Sequence, residues 1–251
     1  METQYYRFYS HHLGRDMECK RYGHAGRPVL FVPCQDGRFF DFENFKMADA
    51  WAPWIESGQV MVFAIDTIDV ETWSNPYGDA YWRARRYEAW IQYIVNEAAP
   101  MFREIARVHN GWEHLPGLTS FGCSLGATHA ANLFFRRPDL FGGVFAISGY
   151  YESRDFFGDY MDDLLSNNCP VYYLPNLPQD HFYMDLYRES TMLFVVGQGD
   201  WEGPLVESTR NLDTVLKRKG IPARFEYWGY DVAHDWPWWF KMVEHYVPQI
   251  L

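Results

Sequence analysis

The chain is short of positive charge. Lys and Arg number 22 against 33 Asp and Glu in 251 residues, a formal net charge of −11, and the pI is near 5.2. Nucleic acid and anionic membrane surfaces attract the opposite balance, so neither is expected as a partner. Long apolar runs are missing too. No window approaches the roughly 18 consecutive apolar residues of a spanning helix, and the opening METQYYRFYSHH has no apolar signal region. The expectation is a cytoplasmic protein without a membrane partner. Cysteine is scarce: Cys19, Cys34, Cys123 and Cys169 are scattered with no C-x-x-C spacing. Reduced thiols are therefore expected in place of a disulfide framework, and no His/Cys pair has metal-ligand spacing. No metal and no cofactor is expected. Repeats and low-complexity tracts are absent as well.

What is abundant is apolar and aromatic. Hydrophobic residues make up 48% and aromatics 19%, with 11 Trp and 18 Tyr, enough for a sizeable core in one domain spanning residues 1–251. Such content also suits aromatic-walled clefts or interfaces, including one between copies in a homo-oligomer.

Residues 4–23 read as two extended segments joined by a turn at His12-Leu13-Gly14, an antiparallel hairpin at a sheet edge. From residue 28 onward, buried strands alternate with helices. VLFV (29–32), VMVFAID (60–66), LTSFG (118–122), GGVFAISG (142–149), TMLFVVG (191–197) and ARFEYWG (223–229) are the strands. A short helix is expected over 46–57. A long one carries Ala84, Tyr87, Ile91, Ile94, Ala98, Met101, Ile105 and Val108 at three- and four-residue steps, kinked or restarted at Pro100. Asp235 with Pro237 starts a last helix over 236–246. This alternation predicts a doubly wound, mostly parallel α/β sheet, whose ligands bind beyond the carboxyl ends of the strands.

At one such end stands Gly122-Cys123-Ser124-Leu125-Gly126. A nucleophilic serine on a sharp strand-to-helix turn needs small flanking residues, because strand and helix pack closely around it. G-x-S-x-G arises by accident in about one chain in ten of this length. Context strengthens it. Acyl transfer needs a serine, a carboxylate and a histidine, in that chain order when the serine sits on such an elbow. Asp200 or Glu202 follows one strand end and His234 follows the next. Leu125, just after the serine, offers a backbone N–H to a developing oxyanion.

GCSLG, the acid segment VVGQGDWE and the histidine segment AHDWPWW resemble the esterase-D-like branch of the α/β-hydrolase fold. That group includes S-formylglutathione hydrolases, feruloyl and acetyl-xylan esterases, and mycolyltransferases. The similarity runs from RFYSHHLGRDMECKRYG to HDWPWW, and the histidine with its Trp-Pro segment is the more specific part. The resemblance implies a triad of Ser124, an acid and His234, with ester hydrolysis or acyl transfer, and it fixes no substrate. The leading expectation is hydrolysis, through an acyl-enzyme, of a small or aromatic acyl ester. Acyl transfer to an alcohol and thioester hydrolysis are the alternatives; a binding protein on a catalytically dead fold is another. Relatives place a Trp just before the acid, as Trp201 stands here, which favours Glu202 over Asp200. Relatives also carry a glycine-containing turn after the first parallel strand. The matching segment is Pro33-Cys34-Gln35-Asp36-Gly37, and Gln35 is the implied second oxyanion donor, with Cys34 departing from the usual glycine.

Residues 150–190 fit no period and form a lid-like insertion. Tyr150, Tyr151, Phe157 and Tyr173 there either wall an acyl pocket or hold the insertion together. Cys34 and Cys123 read as small apolar residues, His129 as a packed structural histidine, and Asp66 and Asp69 as loop-forming.

Overall fold

Strand β3 (Arg27–Val32) is buried from Pro28 onward, and β4 (Val60–Ile65) is buried throughout. That is the pattern of strands covered on both faces. Val29 and Phe31 enter one apolar layer, Leu30 and Val32 the other, because successive side chains leave a strand on opposite sides. The computed structural model, which describes residues 1–251, joins these strands into an eight-stranded sheet. The others are β1 (Thr3–Ser10), β2 (Arg15–Tyr22), β5 (Leu118–Cys123), β6 (Phe141–Ile147), β7 (Thr191–Val196) and β8 (Arg224–Tyr227), and the order is β1-β2-β4-β3-β5-β6-β7-β8. From β3 to β8 the pairing is parallel, and β2 runs antiparallel to both β1 and β4. The N-terminal hairpin thus lies at the sheet edge, turning at Gly14 with φ +67°.

The chain leaves β3 toward β4 on one side and later inserts β5 on the other. The helix Met47–Glu56 follows β3 onto the face of Trp51, Ile55 and the C-terminal helix Trp236–Ile250. The helix Leu125–Arg136 follows β5 onto the opposite face, with Trp90, Phe102 and Leu212. Connections that diverge in this way leave a crevice between the carboxyl ends of β3 and β5.

Two helices differ from expectation. The C-terminal helix runs on to Ile250, with Pro248 in its last turns. The long helix is continuous from Ala80 to Asn110, but Ile94–Ala98 form a π turn just before Pro100. A π turn takes up an extra residue, so the helix beyond it is rotated. The buried stripe expected at Met101, Ile105 and Val108 falls instead on Ala99, Phe102 and Ala106, and Val108 is 60% exposed. The insertion forms short helices at Arg154–Phe157, Asp163–Ser166, Pro170–Tyr173 and Tyr183–Glu189. No helix is long and apolar enough to cross a membrane.

Candidate active site

Ser124 stands at the end of β5 with φ +57° and ψ −131°, a conformation L-residues rarely adopt. The flanking glycines make it sterically possible. A Cβ on Gly126 would lie 2.3 Å from the carbonyl oxygen of Val32, and one on Gly122 would lie 2.4 Å from that of Gly126. Any side chain at either position would push the helix off the sheet.

Ser124 Oγ lies 2.9 Å from His234 Nε2. On the far side of the ring, His234 Nδ1 lies 3.5 Å from Glu202 Oε2, and neither atom has another partner. Glu202 is fully buried. Its other oxygen, Oε1, accepts a hydrogen bond from Ser148 Oγ at 2.6 Å. The carboxylate facing Nδ1 favours the tautomer protonated there, which leaves Nε2 free as an acceptor toward Ser124. Trp201, with φ +67° and 86% exposed, is the residue that turns the chain so that Glu202 points inward. Asp200 is exposed; only its backbone carbonyl serves the site, accepting from His234 N–H at 3.0 Å. Trp239 packs edge-on against the imidazole, centroids 4.9 Å apart.

Two backbone N–H groups, one just after β5 and one just after β3, lack an acceptor in the protein. Leu125 N–H, at the first position of its helix, has no acceptor in the protein, as helix N-termini require. Gln35 N–H, in the turn closed by Gly37 N–H to Cys34 C=O at 2.9 Å, has none either. The close approach of Gly126 to Val32 and Pro33 brings the two segments together.

Residues 10–245 match the family described as "Putative esterase". The chain belongs to this esterase family. Among solved structures, the esterase is similar to a ferulic acid esterase at TM-score 0.72 and 17% identity, over 99% of this chain and 97% of that one. It is similar to an S-formylglutathione hydrolase from Staphylococcus aureus at TM-score 0.62 and 11% identity, over 99% and 96%. A fluorophosphonate-binding serine hydrolase of the same organism, FphF, gives TM-score 0.67 and 13% identity over 99% and 98%. At such identities the likeness is one of fold. No curated protein matches the sequence.

The insertion aromatics of the esterase turn mostly inward. Tyr151 is 1% exposed and packs edge-on against Phe194. Phe157 is 6% exposed, between Trp73 and the Arg83 guanidinium. The Tyr173 hydroxyl is buried without a partner, and burial raises its pKa. Tyr151 and Phe157, so enclosed, have little surface to offer a substrate, which corrects the pocket reading for these two; the Tyr173 ring stays half-buried against the core. Tyr150 remains half-buried, its N–H donating to Thr128 Oγ1 at 2.9 Å on the helix behind Ser124. Burial raises the pKa of the Cys34 and Cys123 thiols, which keeps them protonated.

Ser148 is a site residue that sequence reasoning passed over. It directly follows β6 with φ +55°, and the only signal is a Ser-Gly pair closing an apolar run next to the serine strand. A hydrogen bond to a charged partner contributes about 1.5–3 kcal/mol. Ser148→Ala is therefore expected to lower kcat/KM at least about tenfold, measured on p-nitrophenyl acetate, without changing the fold.

Proposed function

We propose that the esterase cleaves small or aromatic acyl esters through an acyl-enzyme on Ser124. The observation that carries this reading is the Glu202–His234–Ser124 line, with the serine oxygen 2.9 Å from an imidazole nitrogen. Ser124 Oγ attacks the ester carbonyl carbon, and its proton passes to His234 Nε2. Negative charge on the carbonyl oxygen is received by the N–H groups of Leu125 and Gln35, each worth about 3 kcal/mol by analogy with measured donor deletions. Collapse breaks the carbon–oxygen bond to the alcohol, which leaves with the proton from His234. Water then attacks the acyl carbon, gives a proton to His234, and the acid departs as the proton returns to Ser124. Glu202 holds the tautomer and stabilises the imidazolium throughout.

The aromatic surface next to these groups supports an aryl or short acyl chain. Trp201 adjoins Glu202, and Trp236, two residues after His234, stacks on Phe45 with centroids 4.7 Å apart and planes 2° from parallel. The acidic chain and its four free cysteines fit cytoplasmic work on a small-molecule ester.

A panel of p-nitrophenyl esters from acetate to octanoate, with methyl cinnamates and matched thioesters, tests the reading. Turnover is expected to be highest on acetate or on the aryl esters and to show a stoichiometric burst of nitrophenol at high enzyme concentration. No turnover on any ester would overturn it. Preference for thioesters by more than about a hundredfold would replace it with a thioesterase.

A further inference from the structure

His129 lies one turn into the helix behind Ser124, and Asp69 lies in the loop after β4; both are buried, 0% and 2% exposed. His129 Nε2 is 3.0 Å from Asp69 Oδ1. Its Nδ1 is 2.9 Å from the Tyr87 hydroxyl, and that hydroxyl accepts from Asn132 Nδ2 at 3.4 Å. The contacts fit one proton arrangement, in which Nε2–H donates to Asp69 and Tyr87 O–H donates to Nδ1.

The second oxygen of Asp69 reaches a different element. Asp69 Oδ2 accepts the backbone N–H of Asp36 at 3.3 Å. Asp36 sits next to Gln35 with φ +60°, a left-handed conformation that must be held from outside. Other groups of the same loop hold this turn. The Thr67 hydroxyl donates to Gly37 C=O at 3.0 Å, Phe39 N–H donates to Asp66 Oδ1 at 2.8 Å, and the Ser74 hydroxyl bonds the Asp36 carboxylate. Among these contacts, Asp69 alone also grips the helix that presents Leu125 N–H.

We propose that Asp69 and His129 are positioning residues that fix the separation of the two oxyanion donors. One carboxylate binds the turn carrying Gln35 through Asp36 N–H and the helix carrying Leu125 through His129. The inference rests on the esterase reading above, and neither residue touches the substrate. Donors act on a transition-state oxygen only when both are aimed at the same point, and misplacing one forfeits a factor of about 10²–10³.

The test uses Asp69→Ala and Asp69→Asn in the full chain, with active sites counted by fluorophosphonate labelling. Asp69→Ala should lower kcat per labelled site about 10²-fold while KM changes less than about threefold. Affinity for a trifluoromethyl ketone, whose bound hemiketal oxygen occupies the oxyanion position, should fall in parallel with kcat/KM. Asp69→Asn should restore most of the loss, because its amide can still accept from Asp36 N–H and donate to an imidazole in the other tautomer. Should Asp69→Ala fail to fold, His129→Gln takes its place with the same split expected. Loss of stability with kcat per site and ketone affinity unchanged would overturn the proposal. Ser124→Ala in the same assay separates the two readings. If it stays active, the esterase mechanism falls; if it is dead while Asp69→Ala is normal per site, only the positioning role falls.

Discussion

Ser124→Ala is expected to lower kcat on p-nitrophenyl acetate by about 10⁵–10⁶, leaving a slow background from the remaining donors and binding groups. The size follows from what is removed. Without Oγ, His234 has no alcohol to activate, and the acyl-enzyme that divides the reaction into two easier steps cannot form. The fold should be unaffected. The hydroxyl is half-buried, its side-chain partner is His234, and alanine keeps the same strained φ that Gly122 and Gly126 permit. Circular dichroism and melting temperature should match the parent, and fluorophosphonate labelling should vanish. Activity within tenfold of the parent would move the chemistry to another nucleophile. Burial leaves the neighbouring Cys34 and Cys123 thiols poor substitutes, since both stay protonated.

The second large effect separates the two candidate acids. Glu202→Gln is expected to lower kcat about 10⁴-fold, the cost of presenting an amide N–H to the imidazole and losing the tautomer that activates serine. Asp200→Asn should stay within a few-fold. Its side chain is exposed, and the backbone carbonyl that holds His234 N–H survives the change. Steady-state kinetics on both variants decides the matter. A crippled Asp200→Asn beside a normal Glu202→Gln would reverse the assignment. Two normal variants would mean that the carboxylate comes from elsewhere in the chain.

Much of the architecture could be read from local pattern, because buried parallel strands are continuous apolar runs and helices carry a 3.6-residue period. The positions of Ser124, Glu202 and His234 were legible because each falls just past a strand end. The sequence order of those strands puts all three on one edge. What stayed hidden depends on contacts far apart in the chain. Ser148 gains its place only because β6 lies beside β7, which delivers Glu202. Asp69 and His129 are 60 residues apart, and nothing in either neighbourhood announces a partner; His129 looked like an ordinary core histidine and Asp69 like a loop residue. The insertion aromatics misled for a related reason. Aromatic content reports apolar surface to be covered, and here Phe194 of the sheet packs on Tyr151 while Trp73 and Arg83 enclose Phe157.

The π turn at Ile94–Ala98 makes this part of the molecule sensitive to length in a way that its composition does not suggest. Each residue of an α-helix advances about 100° around the axis. The turn already absorbs one such residue, so deleting one there would restore regular winding with the later side chains on their present faces, whereas adding one would swing everything beyond it. Phe102 would then leave its stack on Phe63, whose ring centroid now lies 4.5 Å away, and Met101 and Ile105 would turn toward the sheet in its place. Conservative substitutions along the same stretch leave that phase untouched. Across residues 94–98 the chain therefore tolerates a residue lost more readily than a residue gained.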